Sequence, residues 1–172
     1  VLLDGVAAVV EREVITRSDV ERAARVLLVR RGGTAGVSAP VDDGLRAAVL
    51  DLLVAEELVV LDGRRRHRWP DTDENAARLA ASVRARFASE QEFQAFLRTS
   101  QVPESDFLEM MRRGARVEWL VEAEVRLARA TPEGRTQDPT DVVAAYVSRL
   151  RARTPVRVVA RFGALPPGPG VP

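Results

Sequence analysis

Two short β-branched runs, Val6 to Val10 and Val14 to Thr16, flank the charged turn Glu11-Arg12-Glu13, and from there to residue 150 the apolar positions recur at helical steps. The first pattern predicts a strand pair, although Glu-Arg-Glu is not the Asn-Gly or Asp-Gly pair favoured by two-residue hairpin loops. Ser18 with Glu21 reads as a capping box for a helix from Asp19 to about Arg30. Gly32, Gly33 and Gly36 then predict a break and a flexible loop to about Val41. From Asp43, Leu45, Ala48, Val49, Leu52, Leu53, Leu58, Val59 and Leu61 cover most of a helix circumference, which predicts a central helix surrounded by others.

Asp71 and Glu74 mark the next start, with Ala76, Leu79, Ala80, Val83 and Phe87 on one face. Ser89 with Glu92 is a further capping box, opening a short helix whose face is Phe93, Phe96 and Leu97. Pro103 suits the first turn of a long helix reaching about Ala128 through Phe107, Met111, Ala115, Trp119 and Leu127. Thr131 to Gln137, with Pro132 and Gly134, reads as a linker; Asp138 and Pro139 then open a last helix with a stripe of Val143, Tyr146, Val147 and Leu150. Val156 to Phe162 predicts a strand, and its expected partner is the N-terminal hairpin, because a lone strand leaves its backbone groups unpaired. The expectation is a mainly helical α+β domain over residues 1–163 with a small sheet, followed by a Pro/Gly-rich tail at 164–172.

Composition narrows the function classes. The 172 residues are 46% hydrophobic, enough for one domain with a core, and 26 basic against 25 acidic residues leave a net charge of +1. No whole-chain field therefore attracts nucleic acid or an anionic membrane. Every basic residue is Arg, a bias that GC-rich codons explain as well as guanidinium chemistry does. There is no Cys, and no apolar run reaches the roughly 18 to 20 residues of a membrane span. The Val1 start leads us to expect a processed or trimmed chain, with any targeting segment outside this sequence.

Catalytic chemistry finds little footing. His67, the one histidine, sits in Arg64-Arg65-Arg66-His67-Arg68-Trp69, among charges that repel a metal cation. With no second His and no Cys, neither a transition-metal site nor a cofactor is expected. A Gly-x-Ser-x-Gly turn is lacking, and the glycines near residue 33 are not followed by the Lys-Ser/Thr of a phosphate-binding loop. The cluster Arg64, Arg65, Arg66 and Arg68 beside Trp69 does invite a nucleic-acid reading, through phosphate contacts and stacking. In that alternative, Leu58 to Val60, Asp62-Gly63 and Arg64 to Trp69 form the hairpin wing of a winged-helix domain.

The opening strand, polar turn, second strand ending near Ser18-Asp19-Val20 and long helical region resemble the N-terminal domain of SurA-type periplasmic chaperones. The later order of long, short and long helices is similar too, as are the patches Glu92-Phe93-Gln94-Ala95-Phe96-Leu97 and Asp106-Phe107-Leu108. The resemblance covers nearly the whole chain and implies ATP-independent binding of unfolded or outer-membrane-bound polypeptides in the periplasm. Isomerase members of the family carry a parvulin domain before the closing helix; here that interval is only Ala130 to Gln137, so no isomerase activity is expected. Client contact would fall to Phe93, Phe96, Leu97, Phe107, Met110, Met111 and Trp119, through a cleft between helical body and terminal elements. Met110 is the one expected to be exposed, because adjacent methionines cannot share one stripe. A third reading is a structural or assembly subunit with one fixed partner.

Overall fold

The computed structural model describes residues 4–66 and 71–162. Strands β1 (Val6–Val10) and β2 (Glu13–Thr16) lead into helix α1 (Arg17–Gly32), the short α2 (Ala35–Ser38) and the long α3 (Asp43–Arg65). Helices α4 (Asp73–Arg84), α5 (Glu90–Thr99) and α6 (Glu104–Arg129), a 3-10 turn at Glu133–Thr136, α7 (Pro139–Arg153) and strand β3 (Val156–Val158) complete the order. The fold is mainly helical, with one three-stranded antiparallel sheet in the order β2-β1-β3.

The hairpin closes with a two-residue loop, Val10 pairing with Glu13, and Glu11 accepts a φ of +55° to make it. Two contacts hold that turn where Asn-Gly chemistry is missing: Glu11 pairs with Arg65, and the Glu11 N–H donates to the Pro155 carbonyl at 2.9 Å. Helix α1 starts two residues before the Ser18 box would place it. Thr16 is the cap: its hydroxyl accepts from the Asp19 N–H at 3.2 Å while the Asp19 carboxylate accepts from the Thr16 N–H at 2.9 Å. With β2 running straight into α1, Ser18 already lies inside the helix, and its N–H donates to Asp4 at 3.2 Å.

Helix α3, capped by Asp42, passes through the centre, and every residue from Glu57 to Gly63 on it is buried. A winged-helix hairpin over Leu58 to Trp69 is therefore overturned for the described part, since Leu58 to Arg65 is one unbroken helix. The expected flexible loop contains α2, which packs so close to α1 that a Cβ on Gly36 would lie 2.2 Å from the Leu28 carbonyl oxygen. The expected 131–137 linker is likewise compact: Thr131 Oγ1 donates to the Ala128 carbonyl at 2.9 Å and accepts from the Gly134 N–H at 3.1 Å.

Two apolar clusters form the interior. One joins β1, α1, α3, α7 and the middle of α6 around Val10, Val54, Leu58, Tyr146 and Leu150. The other joins α1, α4, α5 and the first turns of α6 around Phe93, Phe96, Leu97, Phe107 and Met111. Phe87 lies beyond the end of α4 but still packs on that second cluster, 5.7 Å from Phe93 and 5.3 Å from Phe96 between ring centres. The buried stripe of α7 is Val142, Tyr146 and Leu150, one position off Val143 at its start.

Strand β3 pairs with β1 as expected but stops at Val158 instead of Phe162. The Val159 and Ala160 N–H groups both turn onto the Ala7 carbonyl, at 2.8 and 2.9 Å, beside an irregularity in β1 between Val6 and Ala8. One acceptor taking two donors ends the ladder there. The expected tail at 164–172 lies outside the described residues, as does residue 163. Among the described residues, no helix is long and apolar enough to cross a membrane.

Candidate functional site

A cleft of about 330 Å³ opens between β2 and the N-terminal half of α6, over a floor made by α1 and α3. On α6, Asp106, Glu109, Met110 and Arg113 fall at three- and four-residue steps, so one face of the helix supplies that wall. Opposite stand Glu13, Val14 and Ile15; Asp19, Arg22 and Ala23 of α1 and Leu53 and Glu57 of α3 lie between. Val14, Ile15, Ala23, Leu53 and Met110 make the surface partly apolar. Val14 is 52% exposed, unusual for a strand valine beside a core.

Charge surrounds that apolar strip. Arg22 ties α1 to α6 by donating to Asp106 at 2.8 Å, and Arg113 ties α6 to α3 by donating from Nη2 to Glu57 Oε2 at 2.6 Å. Glu57 is only 5% exposed, yet its Oε1 has no hydrogen-bond partner. The Nε of Arg113 is also without a hydrogen bond and lies 3.5 Å from Glu56 Oε2. Burial raises the Glu56 carboxyl above its ordinary range, against the pull of the Arg113 cation.

The side chains expected to meet a client divide sharply. Phe93, Phe96, Leu97, Phe107 and Met111 are core: all are buried in the second apolar cluster, and Phe93 meets Phe107 edge-on at 5.2 Å. They cannot touch a client without opening that core, which removes them from the candidate surface. Trp119 is half-buried against the first cluster. Met110 is half-buried rather than fully exposed, and it alone of the set lines the cleft. The heptad-like spacing of Asp106, Glu109, Met110 and Arg113 was the sequence signal for this wall; Val14 and Glu57 carried none, since each reads as an ordinary strand or helix position.

The arginine cluster is committed to partners inside the fold. Arg64 pairs with Glu13 at 3.2 Å and Arg65 with Glu11. Arg66 pairs with Asp62 at 2.9 Å and Glu124 at 2.5 Å. His67, Arg68 and Trp69 lie outside the described residues. Among the described residues, no group of three or more His, Asp or Glu side chains is placed to hold a metal ion.

A comparison with known protein families finds no family model that matches the chain, and a comparison with curated proteins finds no similar sequence.

Proposed function

We propose that this domain is an ATP-independent, chaperone-like binder of unfolded polypeptides, of the SurA N-terminal type, working in the periplasm on clients such as outer-membrane proteins and without isomerase chemistry. The observation that carries the reading is the cleft between β2 and α6, an apolar strip with the adaptable Met110 at its wall and exposed Val14 opposite. The closing of the N-terminal hairpin by a C-terminal strand supports the resemblance on which the periplasmic setting rests. Nucleic-acid binding is the weaker reading, because Arg64, Arg65 and Arg66 each face a carboxylate of the same chain.

The experiment is suppression of aggregation of a denatured outer-membrane protein diluted into buffer, at low and moderate ionic strength. Burial of apolar surface does not depend on counterion release, so suppression is expected at both, whereas phosphate binding weakens steeply with salt. Met110→Asp should weaken suppression more than Arg65→Ala. Tight, salt-sensitive DNA binding abolished by Arg65→Ala would replace this reading with the nucleic-acid one, and saturable prolyl isomerisation would remove its non-enzymatic part.

A further inference from the structure

Glu56 and Glu57 follow one another on α3, where successive side chains point about 100° apart, yet both carboxylates reach Arg113 of α6. Arg113 donates from Nη2 to Glu57 Oε2 at 2.6 Å, while its Nε lies 3.5 Å from Glu56 Oε2 without a hydrogen bond. Glu57 Oε1 is buried and has no donor. One guanidinium is thus divided between two carboxylates, and the division leaves a buried donor and a buried acceptor unpaired. The Nε and one Nη of an arginine form the fork that matches the two oxygens of a single carboxylate. Arg113 holds half of that fork on Glu57, and the charge of Glu56 draws the other half away.

The other charges around this junction are matched. On the cleft side, Arg22 pairs with Asp106 at 2.8 Å and lies 3.8 Å from Asp19, Glu13 pairs with Arg64 at 3.2 Å, and Glu109 stands 3.6 Å from both Arg112 and Arg116. Arg30 of α1 also faces Glu56, but it is exposed and its charge is screened by solvent. The surplus carboxylate is therefore Glu56. Its side chain keeps 22% exposure against 6% for Glu57, so it exchanges protons with water while Glu57 stays sealed. Burial raises the Glu56 carboxyl, against the pull of Arg113 and Arg30 and with a push from neighbouring Glu57.

We propose that the junction is a proton-operated latch: uptake of one proton by Glu56 frees Arg113 Nε, the guanidinium closes a two-bond fork on Glu57 Oε1 and Oε2, and α6 is clamped to α3. The proton neutralises the surplus carboxylate, both orphaned atoms gain a partner, and one charge is left against one charge. Because Glu57, Met110 and Arg113 line the cleft, the latch sets how firmly its α6 wall is held above the floor. It is a property of the fold, independent of what the cleft binds. A proton held more tightly by the folded chain stabilises that chain. The contribution is therefore complete below the unfolded glutamate value of about 4.3 and is lost as pH rises through the higher, folded one.

The test compares the parent with Glu56→Gln, which fixes the neutral form, in urea melts from about pH 8 down to about pH 4.3. Glu56→Gln should be the more stable protein at the alkaline end, and its advantage should shrink steadily toward the acid end. In that comparison the titrations of the distant carboxylates cancel. By NMR, the Arg113 Nε–H signal of Glu56→Gln at neutral pH should be shifted from that of the parent and exchange more slowly with water, as a donor in a closed fork does. The parent signal should move to the variant position as pH falls, in step with the side-chain carboxyl carbon of Glu56, which locates the proton without any substitution. A stability gap that does not change with pH, or a Glu56 midpoint in the ordinary glutamate range, overturns the proposal. So does a gap that narrows while the Arg113 signal stays where it is, since burial of Glu56 would then act alone and no fork would close.

Discussion

Tyr146 on α7 donates its hydroxyl to Asp62 on α3 at 2.7 Å, a fully buried bond between residues 84 positions apart in sequence. Asp62 also accepts from Arg66 Nε at 2.9 Å and pairs with Arg153, so one buried carboxylate gathers a donor from just past the end of α3 and two from α7. Burial, and then the bond to Asp62, push the Tyr146 phenol well above its ordinary range. The folded value is the raised one, so the contribution to stability is complete below the unfolded value of about 10 and is lost as pH climbs through the folded one.

Tyr146→Phe should therefore destabilise by about 1–2 kcal/mol at neutral pH. In urea melts the gap between parent and variant should stay constant up to about pH 10 and narrow above it. Asp62→Ala should cost more, about 2–3 kcal/mol, because it strands the buried Tyr146 hydroxyl and takes one partner from Arg66 and from Arg153. A Tyr146→Phe variant as stable as the parent would show that the hydroxyl bond adds nothing.

Deleting residues 155–172 removes the acceptor for the Glu11 N–H and the two donors to Ala7, beyond the β3 ladder itself. At about 1 kcal/mol per hydrogen bond, the three alone come to about 3 kcal/mol. For a domain of this size that corresponds to a fall in Tm of roughly 6–12 °C. An unchanged Tm would mean that the hairpin does not depend on its third strand.

Gln101, between α5 and α6, holds a φ of +55° and is exposed. Gln101→Gly should raise stability by up to about 1 kcal/mol, the left-handed strain of a non-glycine residue outweighing the extra freedom gained by the unfolded chain. Glu11 has the same φ but pairs with Arg65, so Glu11→Gly should gain much less. Chemical denaturation of the two variants side by side checks the contrast.

Gly36→Ala and Gly32→Ala should move stability in opposite directions. At Gly36 the new methyl meets the Leu28 backbone 2.2 Å away, and forcing the helices apart should cost about 1–3 kcal/mol. At Gly32, the last residue of α1, nothing lies within 4 Å, and the change should add about 0.4–1 kcal/mol by narrowing the unfolded ensemble.

Sequence reading went furthest where a local signal acted alone. Ser89 and Asp138 cap the helices their side chains announced, accepting from the Glu92 and Thr140 N–H groups. Of the apolar circumference at residues 45–61, Val49, Leu58, Val59 and Leu61 are buried, whereas Ala48 and Leu52 face solvent. It failed where tertiary contacts decided. Thr16 outcompeted Ser18 as a cap because β2 fixes where the backbone leaves the sheet, and the glycines at 32–36 permit close packing of α2 where only flexibility was expected. The aromatics of α5 and α6 could not be assigned to core or surface from spacing, since a buried face and a client-facing face share one periodicity. Val14 and Glu57 became legible as part of a cleft only when α6 was seen to stand off from the edge of β2.

The place of β1 in the sheet also sets an order of events during synthesis. It is the middle strand, yet its second neighbour is made only when residue 158 is translated, after helices α1 to α7. The contacts of α4, α5 and α6 are close in sequence and can consolidate while the chain is still growing. The hairpin must wait with one side of β1 unpaired until Val156 to Val158 have emerged. A ribosome that stalls or terminates early would release a polypeptide with its second apolar cluster assembled and two open strand edges, the form most prone to pair with another copy of itself.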